Sequence, residues 1–138
     1  MSASTKMSTA VKALCFLAGS PDQPKTSGEI ASDIGVNASK LRRILSMLVK
    51  SGIVESTQGT SGGFIIIKDM RRIHLQEIYC AVEDQKAFHL DVTNSNGKQG
   101  AESAKVNQFF LNLFSEIQID IENKMRNISL HDIVESGK

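Results

Sequence analysis

Ser39, Arg42, Arg43, Ser46 and Lys50 fall on one side of a helix when residues are turned by about 100° each, with Lys40 beside them. Leu41, Ile44, Leu45 and Leu48 fall on the other side. The polar side carries hydroxyls and cations and no carboxylate. Such groups donate hydrogen bonds to phosphate oxygens and to base-edge acceptors, and a DNA major groove is wide enough to admit a helix. The plainer reading is a solvated helix face, on which an Arg-Arg pair is ordinary. Catalysis has no comparable candidate. His74, His89 and His131 are scattered, no glycine-rich loop runs into a Lys-Ser or Lys-Thr pair, and no carboxylates pair in a recognisable site. An enzyme would need a nucleophile beside a base, and none can be assembled.

The segments around these residues are those that would hold such a helix against DNA. Thr26 and Glu29 have capping-box spacing and start a short helix that turns Ile30, Ala31 and Ile34 inward. Gly35 ends it, Val36 plugs the turn, and Asn37 is a good N-cap for helix 38–51. The small Ala31 lets the two helices cross closely. Beyond Ser51-Gly52, the β-prone runs 53–57 and 64–67 flank a glycine-rich tip, Gln58-Gly59-Thr60-Ser61-Gly62-Gly63. Two such runs around glycines predict a hairpin, and a hairpin directly after a helix-turn-helix is a winged helix.

Glu29-Ile30-Ala31, the leucine-rich run from Leu41 to Gly52, and Gly59, Gly62, Gly63 and Phe64 resemble the Rrf-type family of bacterial winged-helix transcriptional regulators. The likeness continues through Ile73-His74-Leu75-Gln76-Glu77-Ile78 to Ala81-Val82-Glu83. Its most specific part is the glycine spacing of the wing. The resemblance implies a DNA-binding dimer that reads the major groove with helix 38–51 and reaches the minor groove or backbone with wing 58–63. On it, Ser39, Lys40, Arg42, Arg43, Ser46 and Lys50 are the groove-side residues, and Gln58, Thr60 and Ser61 the wing contacts. Two departures stand out. The family's wing arginine is Gln58 here, so a charge is lost where a narrow minor groove is read. The three cysteines that hold an iron–sulfur cluster in many members are absent from 85–100, where only His89 and Asp91 remain.

Length bounds the rest. A chain of 138 residues is one domain, or a domain with an oligomerisation arm. The net charge of +1 excludes nothing, but its distribution is uneven. Residues 1–68 hold eight Lys/Arg against four acids, and residues 69–138 eight against eleven. A basic front with an acidic rear suits a DNA-facing headpiece. The apolar run from Ala13 to Ala18 follows Lys12 and is too short to span a membrane, so no targeting segment is expected and the cytoplasm is the default. Cys15 and Cys80 form no CxxC motif, so no structural metal site is indicated. Cys15 flanks the inward stripe of a first helix over 6–18 and is expected to be a buried, inert thiol. Pro21 and Pro24 mark a loop of no evident chemistry. Arg71-Arg72 caps the loop before a helix over 75–82, or else clamps a phosphate. In that helix Leu75, Ile78, Tyr79 and Val82 point one way and Cys80 another. A redox role for Cys80 is disfavoured by the neighbouring Glu77, Glu83 and Asp84.

A long helix is predicted over 101–127, with Val106, Phe110, Leu113, Ile117 and Ile121 in one stripe, Phe109 and Phe114 beside it, and Leu111 and Ile119 off it. So wide an apolar surface calls for a second subunit, with Val106, Phe110, Leu113, Phe114, Ile117 and Ile121 at the dimer interface. Ser129 and Asp132 open a terminal helix. The expected fold is mainly α with a small β-hairpin, a winged helix-turn-helix with a long C-terminal dimerisation helix. Its parts are a winged-helix DNA-binding domain over 1–84, a loop over 85–100, and the dimerisation and terminal helices over 101–138. The expected function is a homodimeric, sequence-specific DNA-binding regulator, a repressor on a palindromic operator, with no cofactor and no membrane partner. A small-molecule effector or a partner protein would supply the signal. A different class stays open: a protein-interaction module that docks on an enzyme or another regulator without binding DNA.

Overall fold

The computed structural model describes residues 5–83 and 100–136. The chain runs through α1 (Thr5–Ala18), α2 (Ser27–Ile34), α3 (Ala38–Lys50), β1 (Val54–Thr57), β2 (Gly63–Ile66), α4 (Leu75–Val82), α5 (Ala101–Arg126) and α6 (Leu130–Ser136). A 3-10 turn, Met70–Arg72, lies between β2 and α4. Apart from Gly100, the expected 85–100 loop with His89 and Asp91 lies outside the described residues. The architecture is mainly helical, a winged helix-turn-helix with a long helix behind it.

Local chemistry sets the helix boundaries. The capping box at α2 is closed both ways: Glu29 N donates to Thr26 Oγ1 at 3.1 Å, and Thr26 N donates to Glu29 Oε1 at 3.4 Å. Gly35 ends α2 at φ 71°, its N–H on the Ala31 carbonyl at 2.9 Å. A side chain at this φ would be strained, which is why glycine stops the helix here. Asn37 Oδ1 then accepts from the N–H groups of Ser39 and Lys40 at 2.8 and 3.2 Å and starts α3.

One core joins these elements. Leu14 and Leu17 of α1, Ile30 of α2, Leu41, Ile44, Leu45 and Leu48 of α3, and Ile78 and Val82 of α4 are buried together with Ile53, Val54, Ile73 and Leu130. Each such side chain contributes about 1.5–3 kcal/mol on burial. Ala10, Ala13 and Ala31 are also buried where helices come close.

In the wing, β1 and β2 pair antiparallel from Val54↔Ile66 to Thr57↔Gly63, and Phe64 and Ile66 pack against the core. Lys25 joins the hairpin from the other side. Its N–H donates to Phe64 O at 3.1 Å and its carbonyl accepts from Phe64 N at 2.8 Å. The loop expected to have no evident chemistry therefore ends on the wing. A single bridging residue has no periodicity by which a sequence would reveal it.

Of α5, only Gln118 and Met125 are buried. α6 opens on the expected box, with Asp132 N donating to Ser129 Oγ at 3.1 Å and Ser129 N to Asp132 Oδ2 at 3.0 Å. The strand-like segment before it is tied to the headpiece. Leu75 N donates to Ile128 O at 2.9 Å, and Leu130 N to Ile73 O at 2.7 Å.

Candidate nucleic-acid interface

Because Leu41, Ile44, Leu45 and Leu48 anchor α3 in the core, its opposite side is presented outward. Ser39, Lys40, Arg42, Arg43, Ser46 and Lys50 are all exposed, and α3 holds no acid along its length. Among the described residues Arg42, Arg43 and Lys50 enter no ion pair. Lys40 is used differently. Its Nζ donates to Thr5 Oγ1 at 2.9 Å, which turns the side chain toward the start of α1. Sequence spacing placed Lys40 beside the groove face but could not foresee Thr5, 35 residues earlier in the chain.

The wing tip holds Gln58, Thr60 and Ser61, all exposed. Gly62 N donates to Gly59 O at 3.0 Å, Gly63 N donates to Thr57 Oγ1 at 3.0 Å, and Thr57 Oγ1 donates back to Gly63 O at 3.2 Å. These bonds fix the turn and leave the three polar tip residues outside it. A Cβ on Gly62 would stand 2.6 Å from Thr57 O, so only glycine fits. Arg71 and Arg72 are exposed on the 3-10 turn, which Asp69 caps through Arg71 N at 2.9 Å.

The expected dimerisation residues differ in exposure along α5. Val106 and Phe110 are 53% and 39% exposed, and Phe109 beside them is 63% exposed. Leu113, Phe114, Ile117 and Ile121 are half-buried. Phe110 sits centrally, its ring 5.6 Å from that of Phe109 in an edge-on arrangement and 5.8 Å from that of Phe114. The buried side chains of α5 are Gln118 and Met125, and a glutamine there hides the seam against the headpiece from a search for apolar periodicity.

The two thiols lie on different helices. Cys15 on α1 is half-buried, and that burial raises its pKa. Cys80 on α4 is exposed, its Sγ accepting from Gln76 Nε2 at 3.4 Å. No group of three or more His, Cys, Asp or Glu suited to a metal ion occurs among the described residues. No helix among them is long and apolar enough to cross a membrane.

Comparison with known proteins agrees with this architecture. Residues 3–136 match the Rrf2 family, described as an iron-dependent transcriptional regulator. YwgB of Bacillus subtilis, described as an HTH-type transcriptional regulator, is 30% identical over 133 residues, covering 94% of this chain and 81% of YwgB. The transcriptional regulator IscR of Xenorhabdus nematophila is 28% identical over 117 residues, 85% of this chain and 68% of that protein. The solved structure of T. potens IscR superposes with a TM-score of 0.73 at 24% identity, over all of this chain and 89% of the other, a likeness of fold. Iron in cluster form needs about four soft ligands converging on it. Two cysteines on separate helices do not fit that requirement. With its winged-helix fold, its acid-free outward helix and a match over nearly its whole length, this chain is a transcriptional regulator, not an enzyme, and belongs to the Rrf2 family.

Proposed function

We propose that the chain is a cytoplasmic, homodimeric, sequence-specific DNA-binding repressor. α3 enters the major groove, and the wing tip, Gln58, Thr60 and Ser61, reaches the adjacent minor groove or backbone. The observation that carries this reading is the exposed face of α3, where Arg42, Arg43 and Lys50 stand without a carboxylate on the same helix and without an ion pair among the described residues. Phosphates repay each cation on such a face by releasing condensed counterions. Gln58 offers an amide where the resembled wing offers a guanidinium, so this wing reads groove shape less through charge. The exposed cluster of Val106, Phe109 and Phe110 supports a second copy along α5, and a two-fold dimer reads a palindrome. A dimer occupying two successive grooves excludes polymerase from an overlapping promoter, which is repression.

Selection of bound fragments from genomic DNA, followed by transcription in vitro from the enriched promoters, tests this reading. Enrichment of a palindrome and reduced transcription on adding protein are expected. Recovery of unenriched DNA would refute the reading and favour the protein-docking alternative.

A further inference from the structure

Phe114, Gln118, Ile121 and Met125 follow one another at four, three and four residues along α5. This is the spacing of a coiled-coil seam, and apolar side chains in such a seam accept neighbouring registers with little loss. The most deeply buried side chain of the seam is not apolar. Gln118 is 3% exposed, against 8% for Met125, while Phe114 and Ile121 are half-buried. Gln118 Nε2 donates to the hydroxyl of Tyr79 on α4 at 3.3 Å and to Glu122 Oε1, one turn on, at 3.2 Å. Tyr79 is itself buried, at 9% exposure. A slip of one residue moves a helix by about 1.5 Å and turns it by about 100°. Such a slip would draw the amide away from the phenol and break the Gln118–Tyr79 hydrogen bond between α4 and α5, while the Glu122 bond within α5 moves with the helix. One polar residue at a core position is a known way to select a single register at some expense of stability.

The position of this contact gives it reach. The headpiece is held near the C-terminal half of α5, by Gln118 and Met125, whereas the exposed apolar cluster lies toward the other end, at Val106, Phe109 and Phe110. With 26 residues, α5 is about 39 Å long, so a small rotation at the headpiece seam becomes a large displacement between two headpieces joined through the far end. We propose that the Gln118–Tyr79 hydrogen bond is a positioning contact that fixes the register and rotation of α5 on the headpiece, and thereby the separation of the two α3 helices and the spacing of half-sites the dimer accepts. The inference rests on the dimeric DNA-binding reading above. Neither residue touches DNA.

Changing the centre of an operator by one base pair alters half-site separation by about 3.4 Å and relative rotation by about 35°. A dimer with a fixed headpiece angle discriminates against both changes, and a loosened one does not. The test measures binding of wild type, Gln118→Met and Tyr79→Phe to the selected operator and to versions lengthened or shortened by one base pair. Thermal midpoint, sedimentation and affinity for random DNA are recorded alongside. Wild type is expected to prefer the native spacing by about tenfold, and each variant by about threefold or less. The variants should keep dimer mass and random-DNA affinity, and Gln118→Met should melt no lower than wild type. Should Gln118→Met fail to fold, Tyr79→Phe, which removes a single oxygen, decides alone. Variants that keep the wild-type spacing preference would overturn the positioning role while leaving the DNA-binding reading intact. A wild type that binds operator and random DNA equally would instead overturn the reading beneath it.

Discussion

Arg42 and Arg43 are adjacent in sequence but about 100° apart around α3, so in the proposed complex they would address different parts of the groove. A guanidinium reading a guanine edge gives about 1–3 kcal/mol of discrimination, and one on a phosphate gives almost none. Arg43→Ala is expected to weaken operator binding by roughly 1–3 kcal/mol if it reads a base. If it touches only phosphate, specific and random DNA should lose affinity equally and the salt slope should shrink by about one. A mobility-shift titration over several salt concentrations separates the two, and no loss for either arginine would remove α3 from the mechanism.

At the scale of elements, the wing and the terminal helix each hang on a few short contacts. A Cβ on Gly63 would stand 2.6 Å from the carbonyl carbon and oxygen of Lys25, inside the bridge that Lys25 makes with Phe64. Gly63→Ala must push that backbone away. It is expected to lower stability by about 1–3 kcal/mol in a denaturant titration and to weaken DNA binding through the displaced tip. In α6 the Asp132 carboxyl is held below the usual carboxylate range, first by the Ser129 backbone N–H and then by the Ser129 side chain, with His131 and His74 adding to the effect. A depressed folded-state pKa gives stabilisation that is fully present above the ordinary value of about 3.9 and lost as pH falls through the lower, folded value. Denaturant midpoints of wild type and Asp132→Asn should therefore differ at neutral pH and converge as the solution is acidified below pH ~4. A gap that widens in acid would reverse the assignment.

For the whole molecule, α5 is either a dimer helix or an unexplained exposed surface. The exposure of Val106, Phe109 and Phe110 fits the proposed dimer helix. Phe110→Asp would place a carboxylate beside the rings of Phe109 and Phe114. Monomers or insoluble protein are expected in sedimentation, together with loss of palindrome binding. A soluble wild-type monomer at micromolar concentration would count against the assembly. The thiols make a separate statement about signal. With Cys15 half-buried on α1 and Cys80 exposed on α4, the protein purified without oxygen should be colourless and free of sulfide. Visible absorbance with stoichiometric iron and sulfide would show that ligands come from elsewhere.

The sequence by itself determined the elements, because what starts, stops and orients them is local. Thr26 and Glu29, Gly35, Asn37, and Ser129 with Asp132 act within three or four residues, and the leucines of α3 repeat with the helical period. The outward face of α3 follows from the same period, since burying one side of a helix presents the other. What the tertiary structure alone decided lies between segments far apart in the chain. Lys25 closes the wing at Phe64, Lys40 turns to Thr5, and Gln118 meets Tyr79 39 residues earlier. Gln118 and Met125, neither of them in the expected interface, are the buried residues of α5, and a glutamine falls outside any apolar pattern. Periodicity reports which side of a helix is apolar. Only the packed neighbours determine which side is buried by the chain itself.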